Sequence, residues 1–480
     1  MKKINLIVLL FIGLVFVSCD KDFDELNSNP NDPTSVPAEL LLGSMIRSTG
    51  NVMYSTFNGG DMGACWAQHF SKVQYNDEER YIPRESAIGN VWTVLYESVA
   101  ADANAMYELA VLEENMVAQG AALTMKAYAF LLLTDLYGDI PFTEALQGAT
   151  NISPVYDSQQ TVYNGCLDLL DEAISKLNPA NGSLDSSQDI MYGGDVSKWR
   201  KFAASLKFRA LMRMSAKDAR PSEMQALVNS GLLFSSSADD ANLVYLSAAP
   251  NANPIYESVV FGTRNEWKVN SAIVDRMDGT VGGFPLDNRL PVIAQPNADG
   301  EYRGKPSGIQ DVPSVTYSYA NVSPLGEFYL RPELPAVFLS YTELQFLLAE
   351  AAFKNYISGG NAAAAAYYQA GIESSFADND NADIAGYYSG SVIYTPGFAM
   401  EQISTQKWLA LYSQGFEAWI EWRRTGYPAL TPAIDGAFNE IPSRLTYPVI
   451  EQSLNAANYN AAVSNLPGGD KLTSPVWWMN

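Results

Sequence analysis

The chain has 480 residues, 47% apolar and 12% aromatic, enough for a large buried core, which excludes a disordered or fibrous protein. Its 30 basic and 53 acidic side chains leave a net charge of −23, a field that repels nucleic acid and anionic lipid headgroups. One histidine and three cysteines exclude a metal site built on histidines and a disulfide framework.

Residues 1–18 read as an export signal. Lys2 and Lys3 precede an apolar run, Ile4 to Val17, whose one polar residue is Asn5. The run falls short of the roughly 20 apolar residues that a spanning helix needs. Its end, FVSC, resembles a lipobox, in which the signal is cut before Cys19 and the sulfur carries a diacylglyceryl group. A plain secretory signal is the alternative; both export the chain. Cleavage before Cys19 removes both lysines and takes the net charge to −25, so attachment to a membrane must come from acyl chains, and more than one. Residues 19–37, CDKDFDELNSNPNDPTSVP, turn acidic and then rich in Asn and Pro. Proline fixes φ and restrains the residue before it, which predicts an extended tether.

From Ala38 helices are expected. AALTMKAYAFLLLTDLYG (121–138) has an apolar face and stops on Gly138. Asp157 with Gln160 suggests a capping box for the next helix, whose stripe Val162, Cys166, Leu169, Leu170, Ala173 buries Cys166. A Cys65–Cys166 bridge is the less favoured role for that thiol. Asp195 is expected to cap a helix through Met214; two more span 341–376 across a Gly-containing turn, and another runs from Glu401 to Arg424. Helix pairs joined by short turns predict a mostly α, tetratricopeptide-like scaffold, although no period near 34 residues is visible. No linker divides residues 38–480, which are expected to form one domain, and no further membrane span is expected. Residues 240–335 and 430–480 carry few helical signals. Long irregular segments on a helical scaffold point to ligand-binding loops.

Motifs for catalysis are missing: there is no GxSxG, HExxH, CxxC, Walker loop or GxGxxG. His69 therefore reads as a packed residue. DNDNAD (378–383) lacks the glycine and terminal glutamate of an EF-hand loop and reads as a solvated turn. No cofactor is implied. Aromatics say more. Trp408, Tyr412, Trp419 and Trp422 recur at helical spacing, which predicts core packing. Trp66, just after a Gly-rich break, and Trp267, in the irregular middle, are candidates for exposed faces that stack on sugars or apolar groups. With Gln68, Tyr75 and Asn265 they form the candidate ligand set; ordinary packing is the competing reading for each.

Five segments together resemble the SusD-like (SusD/RagB) family of outer-membrane nutrient-binding lipoproteins: TDLYGDIPFTEAL (134–146), DIMYGGDVSKWRKFAASLKFRALMRMS (189–215), QKWLALYSQGFEAWIEWRRTGYPAL (406–430), IPSRLTYPVIEQSLNAANYNAA (441–462) and the terminal PVWW. LNSNPNDPTSVPAELLL (26–42) is similar to the family's start. The resemblance implies a binding protein with no chemistry of its own. Such a protein captures an oligosaccharide or peptide and closes as a lid over a SusC-like TonB-dependent β-barrel transporter in the outer membrane. It also implies that the acidic residues Asp20, Asp22, Asp24 and Glu25 mark a lipoprotein for the cell surface, a solvated charge run being the competing reading. A lipid-anchored hydrolase using a carboxylate pair, and a surface adhesion or assembly protein, are the alternatives from other classes. The resembling motifs do not assign the ligand residues.

Overall fold

The computed structural model describes residues 36–310 and 316–479. The expectations for the export signal, Cys19 and the tether up to Ser35 lie outside these residues.

The α-helices of nine residues or more are α1 (Leu42–Tyr54), α2 (Glu85–Thr93), α3 (Ala101–Leu112), α4 (Met116–Tyr137), α5 (Gln159–Lys176), α6 (Val196–Met214), α7 (Pro221–Ser230), α8 (Tyr341–Phe353), α9 (Gly360–Asp378), α10 (Ala399–Ala410), α11 (Gly415–Thr425) and α12 (Ala456–Asn465). Neighbours in sequence pack together: α3 on α4, α4 on α5, α5 on α6, and α8 on α9, with α10 against α8. This is the mostly α, tetratricopeptide-like scaffold that the short inter-helix turns imply. Two short antiparallel pairs complete it, β1 (Phe70–Lys72) with β3 (Trp267–Val269) and β2 (Ala241–Leu243) with β4 (Ala336–Leu339). Both tie the irregular middle of the chain to segments far away in sequence.

The helix α4 is apolar all round, and 20 of its 22 residues are buried. By length and composition it is the one described helix that could cross a membrane, which the sequence pattern did not lead us to expect. Its burial inside the protein makes it the central core helix instead. It starts on Asn115, whose side chain accepts from the Ala118 N–H, and stops at Gly138, where φ of +87° suits glycine.

Other helix ends differ from the expectation. Ser158, not Asp157, caps α5, accepting from the Thr161 N–H. Asp157 turns back and accepts from the N–H groups of Phe142 and Thr143, pinning the turn after α4. Asp195 caps α6 as expected, accepting from Ser197 and Lys198. The helix expected over 401–424 is two helices, because the chain turns at 411–414, where Ser413 adopts φ of +71°. Asp378 and Asn379 of DNDNAD are engaged by Thr342 and Tyr329, which fastens the end of α9.

Beneath the helix pairs runs a buried network of charge. Arg213 on α6 meets Asp135 on α4 at 2.6 Å, Glu421 on α11 at 3.1 Å, and Glu417. Arg424 joins Glu421 at 2.8 Å to Glu350 on α8, and Lys407 on α10 lies 3.0 Å from Glu421. Trp478, in the terminal PVWW, donates its indole N–H to Asp135 at 2.9 Å. Each of these carboxylates has a cation, the condition under which buried charge is tolerated.

Candidate functional site

The site grows from the segment that follows α1. Residues Thr56–Ala64 form a wide helical turn packed on the start of α11. A Cβ at Gly63 would sit 2.4 Å from the Gly415 carbonyl carbon, and one at Gly415 only 2.0 Å from the Gly59 oxygen. The glycines read as a break are therefore the residues that let two backbones touch. This contact seats Asp61 under the irregular middle segment. There the Trp267 indole N–H donates to Asp61 at 2.8 Å, while Lys72 and Arg84 each lie 3.0 Å from its carboxylate. Burial pushes the Asp61 carboxyl up to about 6, opposed by Lys72. The β1–β3 register sets Lys72 opposite Trp267, with the ammonium 5.2 Å from the ring centre, and Phe57 meets the same ring edge-on at 5.6 Å.

Three of the five ligand candidates belong to this foundation rather than to a surface. Trp66 and Trp267 are each 1% exposed. Trp66 donates to the Glu78 carbonyl at 2.8 Å and packs edge-on to Trp419 at 4.8 Å. Gln68 is buried and donates to the Thr431 carbonyl. No ring face of these residues is free to stack on a ligand, so the expectation of exposed tryptophans is corrected. The reason is that each indole N–H finds its acceptor inside the protein.

Tyr75 and Asn265 are the two that reach solvent. Tyr75 is 64% exposed and holds φ of +52°, a left-handed conformation uncommon for a bulky residue. Strain of this kind persists where surrounding structure imposes it, and it gathers at binding sites. The Arg264 guanidinium supports the Tyr75 ring from 5.6 Å, and also lies 4.9 Å from Phe57 and 5.5 Å from Trp267. Tyr319, 39% exposed, completes the surface; its hydroxyl donates to Gln74 at 2.7 Å and the Lys268 ammonium lies 5.6 Å from its ring. Two open tyrosine rings, an amide and a guanidinium thus stand on a rigid base. Sequence reasoning missed Tyr319, Arg264 and Lys268, because nothing in YSYANV or TRNEWK separates a bare ring or a spare cation from ordinary loop residues.

Elsewhere a cleft of about 530 Å³ is lined by Arg276, Phe284, Phe398, Glu401 and Gln402 among others, and its one strongly exposed ring is Phe398. The pair of open rings at Tyr75 and Tyr319 makes that surface the candidate, since open aromatic faces are what sugar rings stack on.

The groups that could do chemistry are held out of it. His69 is packed 4.8 Å from Trp408, donates through Nε2 to that residue's carbonyl at 2.9 Å, and is pushed down to about 3 by burial. Cys65 and Cys166 are buried free thiols, each raised well above the ordinary value by burial, so no bridge joins them.

Residues 30–448 match the SusD-like family model described as "Starch-binding associating with outer membrane". The chain belongs to this SusD-like family of outer-membrane-associated binding proteins. Among solved structures it is similar to a chitin-binding protein, at 26% identity and a TM-score of 0.78, over 92% of this chain and 100% of that one. It is also similar to a SusD-like protein from Bacteroides thetaiotaomicron VPI-5482, at 28% identity and 0.76, over 92% and 99%. A SusD homolog from Bacteroides uniformis ATCC 8492 follows at 25% and 0.77, over 92% and 99%. No curated protein sequence matches the chain.

Proposed function

We propose that the protein is a surface lipoprotein, anchored through Cys19, that captures an oligosaccharide on the Tyr75–Tyr319 surface. It then delivers the glycan to a TonB-dependent β-barrel, over which it closes as a lid. The observation that carries the capture step is the pair of exposed tyrosine rings held by Arg264 and Gln74 above a buried base. Such rings stack on sugars while neighbouring amides and cations bond the hydroxyls. The family description and the chitin-binding relative favour a glycan over a peptide.

A hydrolase would need two unengaged carboxyls facing a bound sugar. Those beneath the tyrosines are taken: Asp61 by Lys72 and Arg84, Glu78 by Lys72 and Arg84, and Glu266 by Arg264. Binding without turnover is the reading this favours.

The test is a calorimetric screen of oligosaccharides against the soluble chain from Asp20. Tyr75→Ala and Tyr319→Ala are each expected to weaken binding about tenfold, the scale of one lost stacking contact, with unfolding unchanged. Trp267→Ala should instead lower the melting temperature. Release of reducing ends by the purified chain, or tyrosine variants that bind as the wild type does, would contradict the proposal.

A further inference from the structure

Lys268 sits in the middle of β3, opposite Ser71 of β1, and its backbone bridges to Pro324 on the other side. The residue is 3% exposed, yet among the described residues its ammonium has no hydrogen-bond or ion-pair partner; its neighbour is the face of Tyr319 at 5.6 Å. The stem is packed while the ammonium keeps contact with solvent, so the charge is only partly hydrated and open to a partner from outside.

Among the described residues the carboxylates nearby are engaged by other cations. The described carboxylates bound along β1, β3 and their flanks are Asp61, Glu78, Glu79 and Glu266. Glu79, the carboxylate that Ser71 touches, is held by Lys305 at 3.1 Å. The other three are bound by Lys72, Arg84 and Arg264, as described above. Lys268 has no carboxylate of its own among the described residues, and it lies beside the exposed ring of Tyr319. Burial alone draws its ammonium down, to about 8, with no carboxylate opposing.

We propose that the oligosaccharide taken by this surface is acidic, and that a carboxylate or sulfate on one sugar provides the missing partner of Lys268 while a ring stacks on Tyr319. The inference rests on the glycan-capture reading and narrows it. In a chain of net charge −23, long-range repulsion opposes anionic ligands, so the preference must arise locally, from this one unpaired ammonium.

Calorimetry with length-matched oligosaccharides tests it, using chitooligosaccharide as the neutral probe, oligogalacturonate for carboxylate and chondroitin sulfate oligosaccharide for sulfate. The wild type is expected to bind one acidic probe at least tenfold more tightly than the neutral one. Lys268→Met should abolish that preference and Lys268→Arg should retain it. Equal affinity for neutral and acidic probes, with binding still lost in Tyr75→Ala, would overturn the acidic assignment and leave the capture surface standing. The acidic assignment also falls if Lys268→Met keeps the preference, or if an acidic peptide outcompetes every saccharide. Binding untouched by both tyrosine substitutions would instead remove the capture surface itself. The wild-type comparison is decisive even if the methionine variant folds poorly.

Discussion

Arg264 separates two aromatic residues with opposite fates, the buried Trp267 and the bare Tyr75, each about equally distant from its guanidinium. Sequence chemistry put both in the candidate ligand set; the tryptophan's N–H, paired with Asp61, removes it. Burial depends on a partner 206 residues away, which no local pattern reports. His69 gives a prediction at this scale. It is the chain's one histidine, buried beside Trp408 and Tyr412, and burial lowers its pKa from 6.5 to about 3, partly opposed by the bond to the Trp408 carbonyl. The folded state therefore takes up this proton less readily than the unfolded chain. The contribution of His69 is complete above about pH 6.5 and is lost as pH falls toward 3, by about 3 kcal/mol between pH 6.5 and 4. Denaturant unfolding of wild type and His69→Gln at pH 7 and pH 4 checks this: the wild type should lose more stability, by about that difference. Equal losses would show that His69 does not set the acid limb.

Among the elements, the segments most legible in the sequence turn out to be the scaffold. Asp135 from TDLYGD, Arg213 from the 189–215 motif, Glu421 and Arg424 from EWRRTG, and Trp478 from PVWW meet in one buried network. Asp189 of the same 189–215 motif likewise accepts from the Trp199 indole at 2.8 Å and from the Gly194 N–H at 2.8 Å, which explains the spacing of DIMYGGDVSKW. Motif likeness thus read the fold well and could say little about the ligand surface, whose Tyr75, Tyr319 and Lys268 lie outside every motif. Helix periodicity erred where a turn preserves the apolar spacing, as between α10 and α11: Trp408 and Trp419 are both core although two helices carry them. Arg213→Met is expected to destabilise the protein by about 3–5 kcal/mol, because Asp135, Glu417 and Glu421 lose a shared cation in the interior. Urea unfolding reads this as a lower midpoint. A change below about 1 kcal/mol would mean that water or relaxation already compensates the carboxylates.

For the whole molecule, the helices build a body around α4, and the irregular segments between them carry the proposed function. His69, Cys65 and Cys166 are buried in that body, and the carboxylates beneath the tyrosines are paired with cations. The lid proposal adds attachment: Cys19→Ala is expected to release the protein from outer-membrane fractions, as membrane partition and immunoblotting would detect. Retention there without the β-barrel would argue against the lipid anchor. Glycan capture by the two open tyrosines is tested most directly by a crystal structure with the tightest-binding oligosaccharide. Sugar rings stacked on Tyr75 and Tyr319, with an acidic group at Lys268, are the expected result. Sugar density confined to the cleft between Arg276 and Glu401, with both tyrosines bare, would contradict it.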